Sequence, residues 1–134
     1  MGSDRAAATD RPAFSLAESQ LLCALIAAEP ALSRFTFVEF ASDAAEIQRL
    51  EAFRSAMIWK DVPNRIKCDG KSVRLRPKGF GNFLDQLGVT PEGDRAAFSG
   101  GYQYAPLLGG GGECFFSRDQ ASWKLEGCLH TWDS

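Results

Sequence analysis

The chain has 134 residues, a formal charge of −2, and 45% hydrophobic, 24% charged and 11% aromatic residues. That length supports one domain with a real core, and the composition excludes a disordered chain, a collagen and a coiled coil. The acidic balance disfavours a wholly basic nucleic-acid binder, and the longest apolar run, Leu21 to Ala28, is far shorter than the roughly 20 residues a membrane span needs.

Residues 1–13 are polar and Ala-rich, with no apolar h-region of a signal peptide, and are expected to form a disordered tail before a single domain over 14–134. Met1-Gly2 does not open a myristoylation site, because position 6 is Ala. Ser15-Leu-Ala-Glu18 is a capping box that predicts a helix to about Ala28, with Leu21, Leu22, Leu25 and Ile26 on one face and Pro30 as its stop. The aromatic run Phe35 to Phe40 predicts a short strand, or else an extended linker that packs Phe35 and Phe37 onto the core. Asp43-x-x-Glu46 offers a second capping box, and a helix from about Asp43 to Trp59 follows, with Ile47, Leu50, Phe53 and Met57 as its apolar stripe.

Asp69-Gly70 between two alternating runs predicts a two-residue type I′ hairpin, pairing Cys68 with Lys71, Lys67 with Ser72 and Ile66 with Val73. Ile66, Val73 and Leu75 then share one face, and Arg65, Lys67, Arg74 and Arg76 the other. Phe83 to Leu87 reads as a short helix or turn ended by Gly88, and Val89 to Asp94 as turn chemistry. Arg95 to Leu108 suggests a strand pair or bulged strand broken at Gly100-Gly101, and Gly109 to Gly112 a flexible link. Glu113 to Trp132 reads as a hairpin with its turn at Ala121. The register puts Phe116 opposite Glu126, Arg118 opposite Lys124 and Cys114 opposite Cys128. Phe115, Trp123, Leu125 and Leu129 then form the core face, with the cysteines on the less apolar one. The sum is an α+β domain with N-terminal helices packed on one face of a curved antiparallel sheet.

Four cysteines without a C-x-x-C or zinc spacing leave two readings, buried thiols or disulfides. The Cys114–Cys128 register favours a disulfide. With that bond, and a signal peptide already removed, the protein belongs in the periplasm or outside the cell; otherwise it is cytoplasmic.

Catalytic chemistry is hard to place. Gly70-Lys71-Ser72 resembles the end of a phosphate-binding loop, but the required earlier Gly is Arg65. His130 is the sole histidine and shares a strand face with Cys128, a pairing that a disulfide would remove. Glu39 interrupts an aromatic run and Asp85 follows an apolar one, yet each is better read as a solvent-facing carboxylate. No metal site or cofactor is expected. Phe37, Phe53, Trp59, Phe98, Tyr102 and Tyr104 are candidate linings of an aromatic pocket. The clearest anomaly is charge: seven cations (Lys60, Arg65, Lys67, Lys71, Arg74, Arg76, Lys78) and two anions give residues 60–78 a charge of +5, leaving −7 elsewhere.

The segment Phe115-Phe-Ser-Arg-Asp-Gln-Ala-Ser-Trp123-Lys-Leu125 resembles the last hairpin of NTF2-like proteins, in which a strand, a polar turn and a Trp-Lys-aliphatic run close a curved sheet. The resemblance implies that cone fold and a pocket. It does not imply catalysis, because the chain lacks an Asp–His pair placed to line such a pocket.

The leading expectation is therefore a non-catalytic binding protein, a small exported bacterial protein of the immunity, inhibitor or adaptor type. It would dock an acidic protein partner through Arg65, Lys67, Lys71, Arg74 and Arg76. The alternatives are an NTF2-like domain that binds or transforms a small ligand in an aromatic pocket, and a nucleic-acid-binding domain that stacks bases on Phe80 and Phe83. The acidic total weighs against nucleic acid, and no membrane partner is expected.

Overall fold

The computed structural model describes residues 14–30 and 38–133. The expected tail over 1–13 and most of the expected strand over 35–40 lie outside the described residues; Val38 to Phe40 form no strand.

Helix α1 spans Leu16–Ala28. Its capping box forms as expected: the Glu18 amide donates to Ser15 Oγ (3.0 Å), and the Ser15 amide donates to Glu18 Oε1 (2.6 Å). Helix α2 spans Ala44–Ala56, with Asp43 accepting from the Glu46 amide. Only half of the second capping box forms, because the Glu46 carboxylate turns to Arg49 instead. The helix also ends earlier than expected. Ile58 and Trp59 are strand formers, and strand β1 (Ile58–Asp61) recovers their backbone hydrogen bonds by pairing with a later strand.

A two-residue turn joins β2 (Arg65–Cys68) to β3 (Lys71–Arg74) in the register read from the sequence. Both turn residues have positive φ, Asp69 at 54° and Gly70 at 77°, as a type I′ turn requires. The chain then forms an antiparallel meander of β4 (Gly81–Val89), β5 (Arg95–Ala105), β6 (Leu108–Asp119) and β7 (Ser122–Asp133), with β1 beside β4. Residues 83–87 are thus strand rather than helix or turn. Asp85 is an extra residue between the Leu84 and Gln86 pairings, and this bulge hides the alternation a strand would show. Gly109 to Gly112 are likewise strand rather than a flexible link, all four paired with β5 and Gly110 to Gly112 also with β7. Gly100-Gly101 does not break β5.

The helices lie on opposite faces of the five-stranded sheet, not on one. Leu22 and Leu25 of α1 pack with Leu87, Ala96, Phe98, Cys114, Phe116 and Cys128; Leu50 of α2 packs with Ala97, Phe115 and Leu129. Consecutive residues such as 96, 97 and 98 alternate between the clusters, as side chains of one strand must. The central strands are therefore buried on both faces, and a one-sided amphipathic reading could not capture them. The cysteine face, expected to be the less apolar, belongs to the larger core.

Four register shifts interrupt the meander, and such bulges bend the strands that carry them. One decides the terminal hairpin. Cys114 faces Cys128 as expected, but Phe116 faces Leu125 and Ser117 faces Lys124, because Glu126 is an extra residue in β7. Leu125 and Trp123 consequently join the Cys114 face instead of the Phe115 face. The bulge is clamped: Arg49 binds the Glu126 carboxylate (2.8 Å) and its carbonyl oxygen (2.9 Å), and the Ser117 hydroxyl donates to the same carboxylate (2.5 Å). Ser117 and then Arg49 hold the Glu126 carboxyl below its ordinary pKa, against the opposing effect of burial.

Candidate functional site

Four-residue strands do not make a stable unit alone, so the β2–β3 hairpin depends on its inner side. Ile66 and Leu75 are buried, and with half-buried Val73 they join the α1-face core. A disulfide joins Cys68 to Cys23 of α1, with Cα atoms 5.6 Å apart. Backbone bonds from Leu75 to Asn64 (2.7 Å) and from Leu84 to Leu75 (2.8 Å) tie the hairpin's base to β4. The outer face is thereby held in a fixed position.

That outer face carries Arg65, Lys67, Ser72 and Arg74. The three cations are exposed, and Arg65 stands directly opposite Arg74. Like charges placed opposite each other destabilise a strand pair. Arg65 donates to Ser72 Oγ (3.2 Å), and among the described residues no carboxylate lies within ion-pair distance of Arg65, Lys67, Lys71, Arg74 or Lys78. Two cations of the basic segment are engaged elsewhere. Lys60 binds Glu18 (2.8 Å). Arg76 leaves the expected face to bind Asp85 at 2.9 Å and its carbonyl oxygen at 3.0 Å. It lies past the end of β3, where strand alternation no longer sets its direction. Lys71, across from Cys68, sits on the face of Ile66 and Val73 at the exposed turn.

Of the six aromatics proposed to line a pocket, the five described ones do not gather. Phe37 lies outside the described residues. Phe53 and Trp59 pack on Phe115 on the α2 face, each with ring centroids 6.5 Å away. Trp59 lies flat over Gly88, where a Cβ would collide with its ring. Phe98 is fully buried on the α1 face beside Phe116. Tyr102 and Tyr104 contact each other at 5.7 Å toward the far end of the sheet, and Tyr104 donates to Asn82 Oδ1 (3.1 Å). These rings pack into core and rim because the two-sided sheet separates them. A surface groove of about 720 Å³ does lie between α1 and β1, lined by Phe14, Glu18, Ile58, Trp59 and Lys60 among others. Trp59 is its one member from the expected set.

The other catalytic candidates disperse as well. Cys114 and Cys128 form the expected disulfide, with Cα atoms 4.1 Å apart, so Cys128 offers no thiolate. His130 binds Asp133 (2.9 Å) and meets the edge of Phe40, with both members of the pair open to solvent. Glu39 is exposed, and Asp85 is taken by Arg76. Among the described residues no cluster of His, Cys, Asp and Glu could hold a metal ion.

Two features escaped the sequence. The Cys23–Cys68 pairing depends on how α1 crosses the hairpin, which no local spacing encodes. The stacking of Phe83 on Trp132, with centroids 6.2 Å apart and planes 22° apart, depends on the meander bringing β4 and β7 within reach. Gly101 and Gly111 lie between them, and a Cβ on either would collide with the Trp132 ring. This packing leaves Phe83 half-buried rather than free to stack on a base.

No family model matches the chain, and neither a curated protein nor a solved structure matches it significantly.

Proposed function

We propose that this protein is a non-catalytic binding protein of an oxidising compartment, and that it docks an acidic protein partner through the outer face of the β2–β3 hairpin. The observation that carries this reading is the Arg65–Arg74 pairing on an exposed face with no carboxylate, among the described residues, within ion-pair distance. A sheet face selected only for solubility gains by alternating signs, whereas a face of one sign attracts a partner of the other and speeds its encounter. Lys67 extends the face and Lys71 borders it at the turn. Arg76 is withdrawn from the docking set, because its charge is already engaged by Asp85.

The two disulfides fit an extracellular or periplasmic location. Immunity, inhibitor and adaptor proteins share the features this reading needs: small size, a rigid body and one charged face. The scattered catalytic candidates favour binding over turnover, and the packed aromatics weaken the pocket alternative.

The test compares wild type with an Arg65→Glu/Arg74→Glu variant, each immobilised and exposed to the extracytoplasmic fraction of producing cells at about 0.05 and 0.3 M salt. The expected result is stoichiometric retention of an acidic protein by wild type at low salt. High salt should weaken that retention and the double variant should abolish it. Equal retention by both forms would remove the hairpin from the interface.

A further inference from the structure

A second surface lies at the end of the sheet where β4 begins and the β5–β6 turn protrudes. Three large apolar side chains stand in solvent there: Leu107 at 86% exposure, Phe80 at 59% and Leu108 at 56%, with Tyr104 beside them at 43%. They form one patch by topology. Gly81 pairs with Gln103 and Gln103 with Gly109, so Phe80 leaves β4 two strand spacings, roughly 10 Å, from Leu108.

The turn is a built feature. The Gln103 amide lies back over Gly109 and donates to the carbonyl oxygens of Ala105 (2.6 Å) and Pro106 (3.4 Å). That amide occupies the inner side of the turn, and Leu107 and Leu108 beside it stay in solvent. Apolar side chains left in water forgo the free energy of burial.

Two cations lie near the patch. Lys78 precedes Phe80 in the same loop, and Arg74 shares a surface hollow with Asn82 and Phe83; neither has a carboxylate within ion-pair distance among the described residues. Asp133, opposite Gly110, brings one carboxylate to this end of the sheet, in contact with His130.

We infer that this tip is a peripheral membrane anchor, in which Phe80, Leu107 and Leu108 enter the headgroup boundary of an anionic bilayer while Lys78 and Arg74 meet its phosphates. Apolar side chains on a turn with cations beside them match a lipid surface, which takes apolar groups beneath its charged headgroups. Apolar insertion together with a few cations is also the pair of signals that reversible anchoring needs. No described helix is long and apolar enough to cross a membrane. The sequence expectation of no membrane partner rested on that same length argument, which does not bear on a peripheral anchor. The inference goes beyond the proposed docking function and shares only Arg74 with it.

The test is co-sedimentation of the intact, oxidised protein with phosphatidylcholine vesicles containing about 30% phosphatidylglycerol, against pure phosphatidylcholine. Wild type should partition onto the anionic vesicles. Leu107→Glu/Leu108→Glu should lower that partition at least about a hundredfold, with near-UV circular dichroism unchanged. Lys78→Glu should lower it about fivefold. A Leu107→Trp variant should shift its emission to the blue on binding and be quenched by brominated lipid. Arg65→Glu/Lys67→Glu, which removes the hairpin face, should leave Leu107→Trp quenching intact, so the two surfaces can fail separately. Absence of wild-type binding, or equal binding by the Leu107/Leu108 variant, would overturn the anchor. Retention on a polyglutamate resin without vesicle binding, lost in the Leu107/Leu108 variant, would assign the tip to an acidic protein instead.

Discussion

The β2–β3 and β6–β7 hairpins each contain a turn and cysteine positions that sequence patterning can find, yet they are built on opposite principles. The β2–β3 hairpin is short, buried on one side and cationic on the other, and its disulfide ties it outward to α1. The β6–β7 hairpin is three times longer and buried on both faces. Its disulfide is internal, between directly paired residues. One hairpin is held in place by its surroundings, and the other is itself the centre of the core. A surface can carry unopposed charge only where its own packing is not the main source of stability, and the first hairpin satisfies that condition.

The largest expected effect tests which hairpin is the core. Phe116→Ala should destabilise the protein by about 4 kcal/mol, measured by chemical denaturation, because Phe116 is fully buried against Phe98. A loss below about 1 kcal/mol would contradict the two-sided core. Removing the disulfides comes next and separates the two designs. The Cys23–Cys68 bond closes 45 residues and Cys114–Cys128 closes 14. Chain-entropy scaling then assigns about 4 and about 3 kcal/mol to them. Hydrogen exchange provides the sharper contrast. Cys23→Ala/Cys68→Ala should release protection mainly in β2 and β3, whereas Cys114→Ala/Cys128→Ala should lower it across the whole sheet.

A smaller effect comes from the glycine run. Gly111→Ala should cost about 2 kcal/mol, since its Cβ would press on Trp132 and on the paired strand. Trp132 fluorescence should change with it; a neutral result would restore the flexible-link reading. Arg74→Glu should act in the opposite direction. It replaces a like-charge pair with an attraction between Arg65 and the introduced carboxylate, and should stabilise the hairpin by about 0.5 kcal/mol, while weakening binding of an acidic partner. Greater stability with undiminished binding would argue against the docking face.

Acid gives the gentlest handle. Burial raises the Glu18 pKa, but hydrogen bonds from Lys60 and Ser15 outweigh it and hold that carboxyl low; Ser117 and Arg49 do the same for Glu126. A carboxyl with a depressed folded pKa stabilises the protein fully above its unfolded pKa, near 4.5. That contribution fades as pH falls through the folded value. Stability should therefore decline below about pH 4.5, and Glu126→Gln should flatten part of that decline. An unchanged acid limb in Glu126→Gln would remove the clamp from the bulge.

Much was legible locally. The Ser15–Glu18 box, the stripe of Ile47, Leu50 and Phe53, the Asp69-Gly70 turn and the Cys114–Cys128 opposition all depend on residues close in sequence or paired across one turn. Errors arose wherever a neighbour outside the window set the outcome. Asp85 and Glu126 are bulges, and one extra residue in a strand reverses which side chains share a face. The Gly109 to Gly112 run looks flexible alone, but it pairs throughout with β5, Gly110 to Gly112 pair with β7 as well, and Gly111 lies against Trp132. Of the residues proposed for docking, Arg65, Lys67 and Arg74 keep their expected face, Lys71 borders it, and Arg76 is captured by Asp85.

The sequence alone determined the α+β class, the Asp69-Gly70 turn, the start of each helix and the concentration of positive charge, because these follow from propensity, turn stereochemistry and short-range pairing. Only the tertiary structure placed the helices on opposite faces, joined Cys23 to Cys68, dispersed the aromatics into core and left Phe80, Leu107 and Leu108 in solvent. Those outcomes depend on which surfaces meet when strands distant in sequence pair, and no local pattern carries that information.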